Sequence, residues 1–131
     1  MKKIIKTDEE WKKILTEEEF LITRKKGTEA PFSGNEFKNT KNGLFKCKCC
    51  DTLLFNSATK YDSYSGWPSF YDKISNESIK EVSDNSHGLT RTEVLCSICD
   101  SHLGHLFDDG PEPTGKRYCI NALSLKFEDG E

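Results

Sequence analysis

Two Cys-x-x-Cys pairs, Cys47/Cys50 and Cys96/Cys99, constrain this chain more than any other feature. Thiolates bind zinc at ~2.3 Å, and a two-residue spacer lets one tight turn aim two sulfurs at a single ion. Two such pairs complete a tetrahedral Cys₄ site. The 45 residues between the pairs exceed the span of a compact zinc ribbon, so the metal is expected to staple two distant parts of one β domain. Cys49 complicates the first pair, and the matching spacing selects Cys47 and Cys50. Two independent redox dithiols, or buried free thiols, are the competing readings. A thioredoxin-type dithiol needs a βαβ setting that this sequence lacks.

At 131 residues the chain is expected to form a single domain over 1–131, with a helical segment at about 7–26 and a β body at about 40–128. Eight Phe, four Tyr and two Trp supply apolar area for one core. A net charge of −3 gives no broad basic field, which argues against nucleic acid as a partner. No stretch reaches the ~20 apolar residues of a membrane span. The basic start Met1-Lys2-Lys3 runs into polar sequence rather than an apolar stretch, so no secretory signal is read there. The expected setting is the cytoplasm, where thiols stay reduced and paired cysteines hold metal or do redox chemistry.

Thr7 and Glu10 make a capping-box pattern ahead of Trp11, Ile14 and Leu15. Thr16 and Glu19 repeat it ahead of Phe20, Leu21 and Ile22, with Gly27 as the stop. Ala30 to Asn42 reads as a loop and Asn42-Gly43 as a hairpin turn. Beyond it the candidate strands are Leu44–Cys47, Leu53–Phe55, Ile79–Val82, Leu89–Leu95, Leu103–Phe107 and Cys119–Phe127. The expected class is mainly β and antiparallel, with short N-terminal helices.

Outside the pairs, Cys119 stands in Arg117-Tyr118-Cys119-Ile120-Asn121. On a strand, Arg117, Cys119 and Asn121 share one face. A cation near a thiol lowers its pKa and favours the reactive thiolate, and Asn121 can donate a hydrogen bond into the same space. A buried structural cysteine beside a surface arginine fits the pattern as well. His102 and His105 normally point to opposite faces of a flat strand, but Gly104 permits a bulge that re-aims one ring. Two imidazoles near a thiolate can hold and protonate a substrate oxygen, and an idle surface pair is the plain alternative. Trp67, in Ser65-Gly66-Trp67-Pro68-Ser69-Phe70, is either core packing or an exposed wall for an apolar ligand group.

Together these residues resemble the methionine-R-sulfoxide reductases of the B type, the peptide-methionine (R)-S-oxide reductases. The likeness runs through Gly27-Thr28-Glu29-Ala30-Pro31-Phe32, Cys47 to Phe55, Gly66-Trp67-Pro68-Ser69-Phe70 and Ser86-His87-Gly88. It continues through Cys96 to Phe107, Asp109-Gly110-Pro111, Pro113-Thr114-Gly115 and Arg117 to Leu125. The resemblance implies two antiparallel sheets with short N-terminal helices, and one structural Zn²⁺ held by Cys47, Cys50, Cys96 and Cys99. It implies thiol-dependent reduction of methionine-R-sulfoxide, free or in proteins, a repair activity under oxidative stress. Cys119 is then the nucleophile and passes through a sulfenic acid. Trp67 would pack on the S-methyl group, His102, His105 and Asn121 would position and protonate the sulfoxide oxygen, and Arg117 would tune the thiolate. The implied partners are the sulfoxide and thioredoxin or another thiol, with the chain acting as a monomer.

The chain departs from that family at one point. Many members carry a resolving cysteine two residues before the tryptophan, where this sequence has Ser65, and Tyr64 stands where glycine is common. Serine cannot form the disulfide. Either an external thiol reduces the sulfenic acid directly, or Cys49 resolves it. Two other classes predict different behaviour. A zinc-ribbon binding module gives Cys119 no role, and a redox-regulated chaperone loses structure on mild oxidation.

Overall fold

The computed structural model describes residues 3–32, 41–85 and 88–130. Both helices begin where their capping boxes predict. The Thr7 hydroxyl accepts from the Glu10 N–H at 3.2 Å while the Glu10 carboxylate accepts from the Thr7 N–H at 2.8 Å, opening α1 (Asp8–Ile14). Thr16 and Glu19 do the same at 3.1 and 2.9 Å for α2 (Glu17–Arg24). The predicted stop at Gly27 is shifted by one residue. Lys26 takes the left-handed conformation (φ 60°), and the Gly27 N–H closes onto the Leu21 carbonyl at 2.9 Å. Most of the predicted loop from Ala30 to Asn42, residues 33–40, lies outside the described residues, as do Ser86 and His87 of the Ser86-His87-Gly88 motif.

The strands are β1 (Gly43–Cys47), β2 (Leu53–Asn56), β3 (Lys60–Tyr61), β4 (Ser69–Phe70), β5 (Ile79–Asp84), β6 (Arg91–Cys96), β7 (His102–Phe107), β8 (Arg117–Ile120) and β9 (Leu125–Asp129). They form a three-stranded sheet in the order β2-β1-β9 and a six-stranded sheet in the order β3-β4-β8-β7-β6-β5. The pairings in both are antiparallel. The expected class, two antiparallel sheets with short N-terminal helices, is what the chain adopts.

Two local expectations differ, and two short strands are unexpected. The single strand predicted from Cys119 to Phe127 is two strands in different sheets, parted by a 3₁₀ turn at Ala122–Ser124. Asn42-Gly43 does not close a hairpin; Gly43 opens β1, whose partners are β2 and β9. The two-residue strands β3 and β4 are too short for an alternation signal to mark them.

The sheets meet through aromatic side chains. Phe45 and Phe55 come from β1 and β2, and Phe70 and Tyr118 from β4 and β8; all four are fully buried. Phe55 stacks on Phe70 at 4.3 Å, with Phe45 edge-on to Phe70 at 5.2 Å. Side chains alternate across a strand, so burying Tyr118 and Ile120 in this core turns Arg117 and Cys119 to the opposite face of β8.

Candidate active site and metal centre

Cys119 belongs to a row of partners running across the six-stranded sheet. Tyr61 pairs with Ser69, Ser69 with Cys119, Cys119 with His105, and His105 with Glu93. Directly paired residues share a sheet face. The second histidine reaches that face through a bulge. Val94 pairs with Gly104 but Leu95 pairs with His102, so Leu103 is the extra residue. The two imidazole centroids lie 5.6 Å apart. Glycine is required at 104 for a second reason: a Cβ there would lie 2.0 Å from the Cys119 carbonyl oxygen.

A cavity of about 120 Å³ opens on this face, with walls from Trp67, Arg91, His105, Phe107, Cys119 and Asn121. That volume suits one amino-acid side chain rather than a bulky cofactor, since pockets for drug-sized ligands run from ~300 Å³ upward. The structure therefore brings Cys119, His105, Asn121 and Trp67 to one space. His102 is not in its wall. It is 3% exposed and sits behind His105.

Each histidine is held by a carboxylate. His105 Nε2 is 2.8 Å from an Asp84 oxygen, and His102 Nδ1 is 2.8 Å from a Glu93 oxygen. Burial pushes the His102 pKa down, against the upward pull of Glu93. Lys26 reaches the other oxygen of Glu93 at 3.2 Å.

Glu29 organises the opposite wall. Its backbone N–H donates to Asn121 Oδ1 at 3.1 Å, and its carbonyl accepts from the Trp67 indole N–H at 3.0 Å. Its carboxylate, 5% exposed, accepts from the N–H groups of Ala122 and Leu123 at 2.8 and 2.9 Å. Burial pushes the Glu29 pKa up, opposed by those two N–H groups. Asn121 also donates through Nδ2 to the Leu103 carbonyl at 3.3 Å, which leaves one amide hydrogen for a ligand. Sequence reasoning missed Glu29, Asp84 and Glu93 as functional supports. Their partners lie 92, 21 and 9 residues away, so no local spacing marks them.

Arg117 lies flat over Phe107 at 4.3 Å and binds Asp109 with two nitrogens, at 2.8 and 3.2 Å. The expectation that its charge lowers the Cys119 pKa meets a larger opposing effect. Burial pushes the Cys119 thiol up, and Arg117 together with a hydrogen bond from Ser65 only moderates this.

The other cysteines gather at the ends of β1 and β6. Sulfurs of Cys47, Cys50, Cys96 and Cys99 all lie within 4.8 Å of one another, with Cys47–Cys99 and Cys50–Cys96 each at 3.6 Å. The edge of a tetrahedron with ~2.3 Å metal–sulfur bonds is about 3.8 Å. Both turns follow one plan. Cys47 N–H bonds Thr52 O at 2.8 Å and Asp51 N–H bonds Cys47 O at 2.9 Å; Cys96 N–H bonds Ser101 O and Asp100 N–H bonds Cys96 O, both at 2.9 Å. Asp51 and Asp100 supply the left-handed residues, at φ 64° and 62°. Hydrogen bonding among the clustered sulfurs, then burial, drives the Cys47 pKa well up. Four thiolates so close need a cation between them, and the donor set fits a metal ion.

Cys49 stands beside that cluster rather than in the cavity. Its neighbours are Cys47, Cys99, Thr23 and Arg24, none of which lines that cavity. The structure does not bring Cys49 and Cys119 together.

A family model described as the SelR domain matches residues 15–129. Curated relatives called peptide methionine sulfoxide reductase MsrB match nearly the whole chain. The one from Methanosarcina barkeri is 53% identical over 130 residues, covering 99% of this chain and 92% of the relative. That from Hahella chejuensis is 51% identical over 131 residues, covering 100% and 94%. That from Escherichia coli K12 is 54% identical over 123 residues, covering 94% and 90%. Among solved structures, the Mis18 'Yippee-like' domain superposes with a TM-score of 0.54 at 18% identity, covering 68% of this chain and 97% of that one, a likeness of fold alone.

Proposed function

The chain belongs to the SelR-domain family of peptide methionine sulfoxide reductases, and from that membership we propose that it reduces the R epimer of methionine sulfoxide, free or in proteins, to methionine. One observation carries the assignment of roles. A thiol, a carboxylate-held imidazole, a spare amide hydrogen and an indole border one cavity of side-chain size.

In this reading the S-methyl group packs on Trp67 and the sulfoxide oxygen points to His105 and Asn121. A sulfoxide sulfur is a poor electrophile until its oxygen is protonated or hydrogen-bonded. His105 supplies that proton, while His102, buried with Glu93, fixes the position of the His105 ring. The Cys119 sulfur then attacks, and the oxygen transfers to it. The balance is Cys119–SH plus sulfoxide giving Cys119–SOH plus thioether. The raised Cys119 pKa suits this balance, because the proton held on the resting thiol is then available to replace the one that His105 gives to the oxygen. Arg117 limits how far burial raises that pKa.

Cys47, Cys50, Cys96 and Cys99 would hold one zinc ion, whose contribution is structural. The sulfenic acid is reduced by an external thiol, thioredoxin or a small thiol. The surroundings of Cys49 favour this route over internal resolution. A monomer in a reducing compartment such as the cytoplasm is the setting this chemistry asks for. No helix among the described residues is long and apolar enough to cross a membrane.

The test is a single-turnover assay on the reduced protein with racemic methionine sulfoxide and no reductant, each epimer followed by chiral separation. About one equivalent of R epimer consumed, and none by Cys119→Ser, supports the assignment. Consumption of neither epimer by folded protein removes it in favour of a zinc-ribbon binding module.

A further inference from the structure

A second cavity lies on the other side of Cys119. The sulfoxide cavity is built from β7 and β8; this one, about 480 Å³, is built towards β3 and is lined by Tyr61, Ser63, Ser65, Asp109, Pro111 and Arg117. Its lining mixes polar and apolar surface, and no step of sulfoxide reduction takes place in it.

Two features of this cavity lack a structural explanation. The first is the Tyr61 hydroxyl, which is buried without a hydrogen-bond partner among the described residues. An orphaned buried hydroxyl is destabilising unless a ligand satisfies it. Burial holds the phenol protonated, with Asp109 and Cys119 acting in the same sense and Arg117 against. It is therefore a donor. The second feature is a chain of hydroxyls, Ser65 to Ser63 at 2.8 Å and Ser63 to Ser69 at 2.7 Å, with Ser69 donating to the Trp67 carbonyl at 3.2 Å. The Ser65 hydroxyl accepts from the Trp67 N–H at 3.4 Å and donates to the resting Cys119 sulfur. When its hydrogen turns to Ser63, with the Trp67 carbonyl as final acceptor, each serine donates to the next, and one lone pair of Ser65 is left to accept from outside the chain.

The cross-strand row brings both features to Cys119. Tyr61, Ser69 and Cys119 are consecutive partners on one sheet face, about 10 Å from end to end at two strand spacings. Ser69, between them, is small and fully buried, and the Tyr61 phenol and the Cys119 thiol are near enough for the charge of one to be felt by the other. A sulfenic acid on Cys119 offers what the site lacks: its O–H can donate to Ser65, and its oxygen can accept from Tyr61.

We propose that this cavity is a second substrate subsite, in which Tyr61 and Ser65 hold the oxidised form of Cys119 for attack by a small polar thiol. The proposal rests on the reductase reading above. An incoming thiol RSH attacks the Cys119 sulfur, and an S–S bond forms as the S–O bond breaks. The oxygen leaves as water, carrying its own proton and the proton of the thiol. A second thiol displaces Cys119 from the mixed disulfide, so two thiols supply two electrons and depart as a disulfide.

The experiment measures two quantities with dithiothreitol as the probe: the single-turnover rate without reductant, and the KM for dithiothreitol in steady state. Tyr61→Phe removes the orphaned hydroxyl with little risk to folding, and Ser63→Val fills the cavity. Expected is a rise of about tenfold in the dithiothreitol KM, the worth of one hydrogen bond, exceeding any change in the single-turnover rate. A KM changed less than about twofold in both variants overturns the subsite. So does wild-type protein recycled by a protein dithiol but without saturation by dithiothreitol. Absence of the first turnover in wild type is a different failure, and strikes the reductase reading itself.

Discussion

Cys119 and His105 are direct partners across the β7–β8 ladder, and Gly104, beside His105, leaves no room for a Cβ against the Cys119 carbonyl. The sheet itself therefore sets the distance between the proposed nucleophile and the proposed proton donor. A loop would hold such a pair less firmly. Replacing His105 with Asn should leave the substrate KM within a few-fold of wild type and cut the single-turnover rate roughly a hundredfold or more, in the range for losing a general acid. Rapid-quench measurement of methionine formation checks this, and a rate within a few-fold of wild type would remove His105 from proton transfer.

Gly104→Ala should destabilise the fold by about 1–3 kcal/mol or more, because the added methyl meets backbone rather than a movable side chain. Thermal or urea denaturation reads this directly. The same variant should lose single-turnover activity beyond its loss of folded fraction, since any relief of the clash parts β7 from β8.

Burial places the Cys119 pKa above its ordinary value of 9.0. The ionised fraction, and with it alkylation by iodoacetamide, should therefore still be climbing above pH 9 in the absence of substrate. Arg117→Met removes a lowering influence and leaves Asp109 unpaired, so both changes raise the pKa and slow alkylation at any fixed pH. Ser65→Ala acts in the same direction, more weakly. Peptide mapping separates Cys119 from the other five thiols, and a plateau reached below pH 8 would contradict the geometry.

Stripping the metal with a strong chelator under reducing conditions should cost several kcal/mol of stability and broaden the unfolding transition. Cys96→Ser should bind less than stoichiometric zinc. Cys49→Ser should keep one equivalent and its full first turnover, because Cys49 is outside the four-sulfur set. Metal analysis alongside circular dichroism decides the ligand assignment.

The parts legible in the sequence are those encoded over three or four residues. Capping boxes at Thr7/Glu10 and Thr16/Glu19 mark both helix starts to the residue, and the two-residue spacers select the four clustered sulfurs. The parts hidden from it depend on contacts between remote segments. Nothing near Asn121 predicts that Glu29 fixes its amide, or that Asp84 holds His105. The break between β8 and β9 is hidden for a related reason. Cys119 to Phe127 is apolar enough for one strand, but Asn121 is turned out of the ladder into the 3₁₀ turn. His102 is the subtlest case: the bulge brings it to the correct face, and depth then removes it from the cavity wall.

Cys47 and Cys96 are fully buried and Cys99 is 2% exposed, while Cys119 remains partly open to solvent. Cys96 lies three residues along β6 from Glu93 and two strands from Cys119, roughly 14 Å by strand geometry. A protein that handles oxygenated sulfur is itself a target for oxidants. Of the four clustered sulfurs, Cys47, Cys96 and Cys99 are screened from diffusing peroxide, while Cys50, like Cys119, is partly open to it. In the proposed cycle the Cys119 sulfur is the one whose oxidation is reversed, so the fold keeps three of the four clustered sulfurs, which that cycle does not reach, out of an oxidant's path.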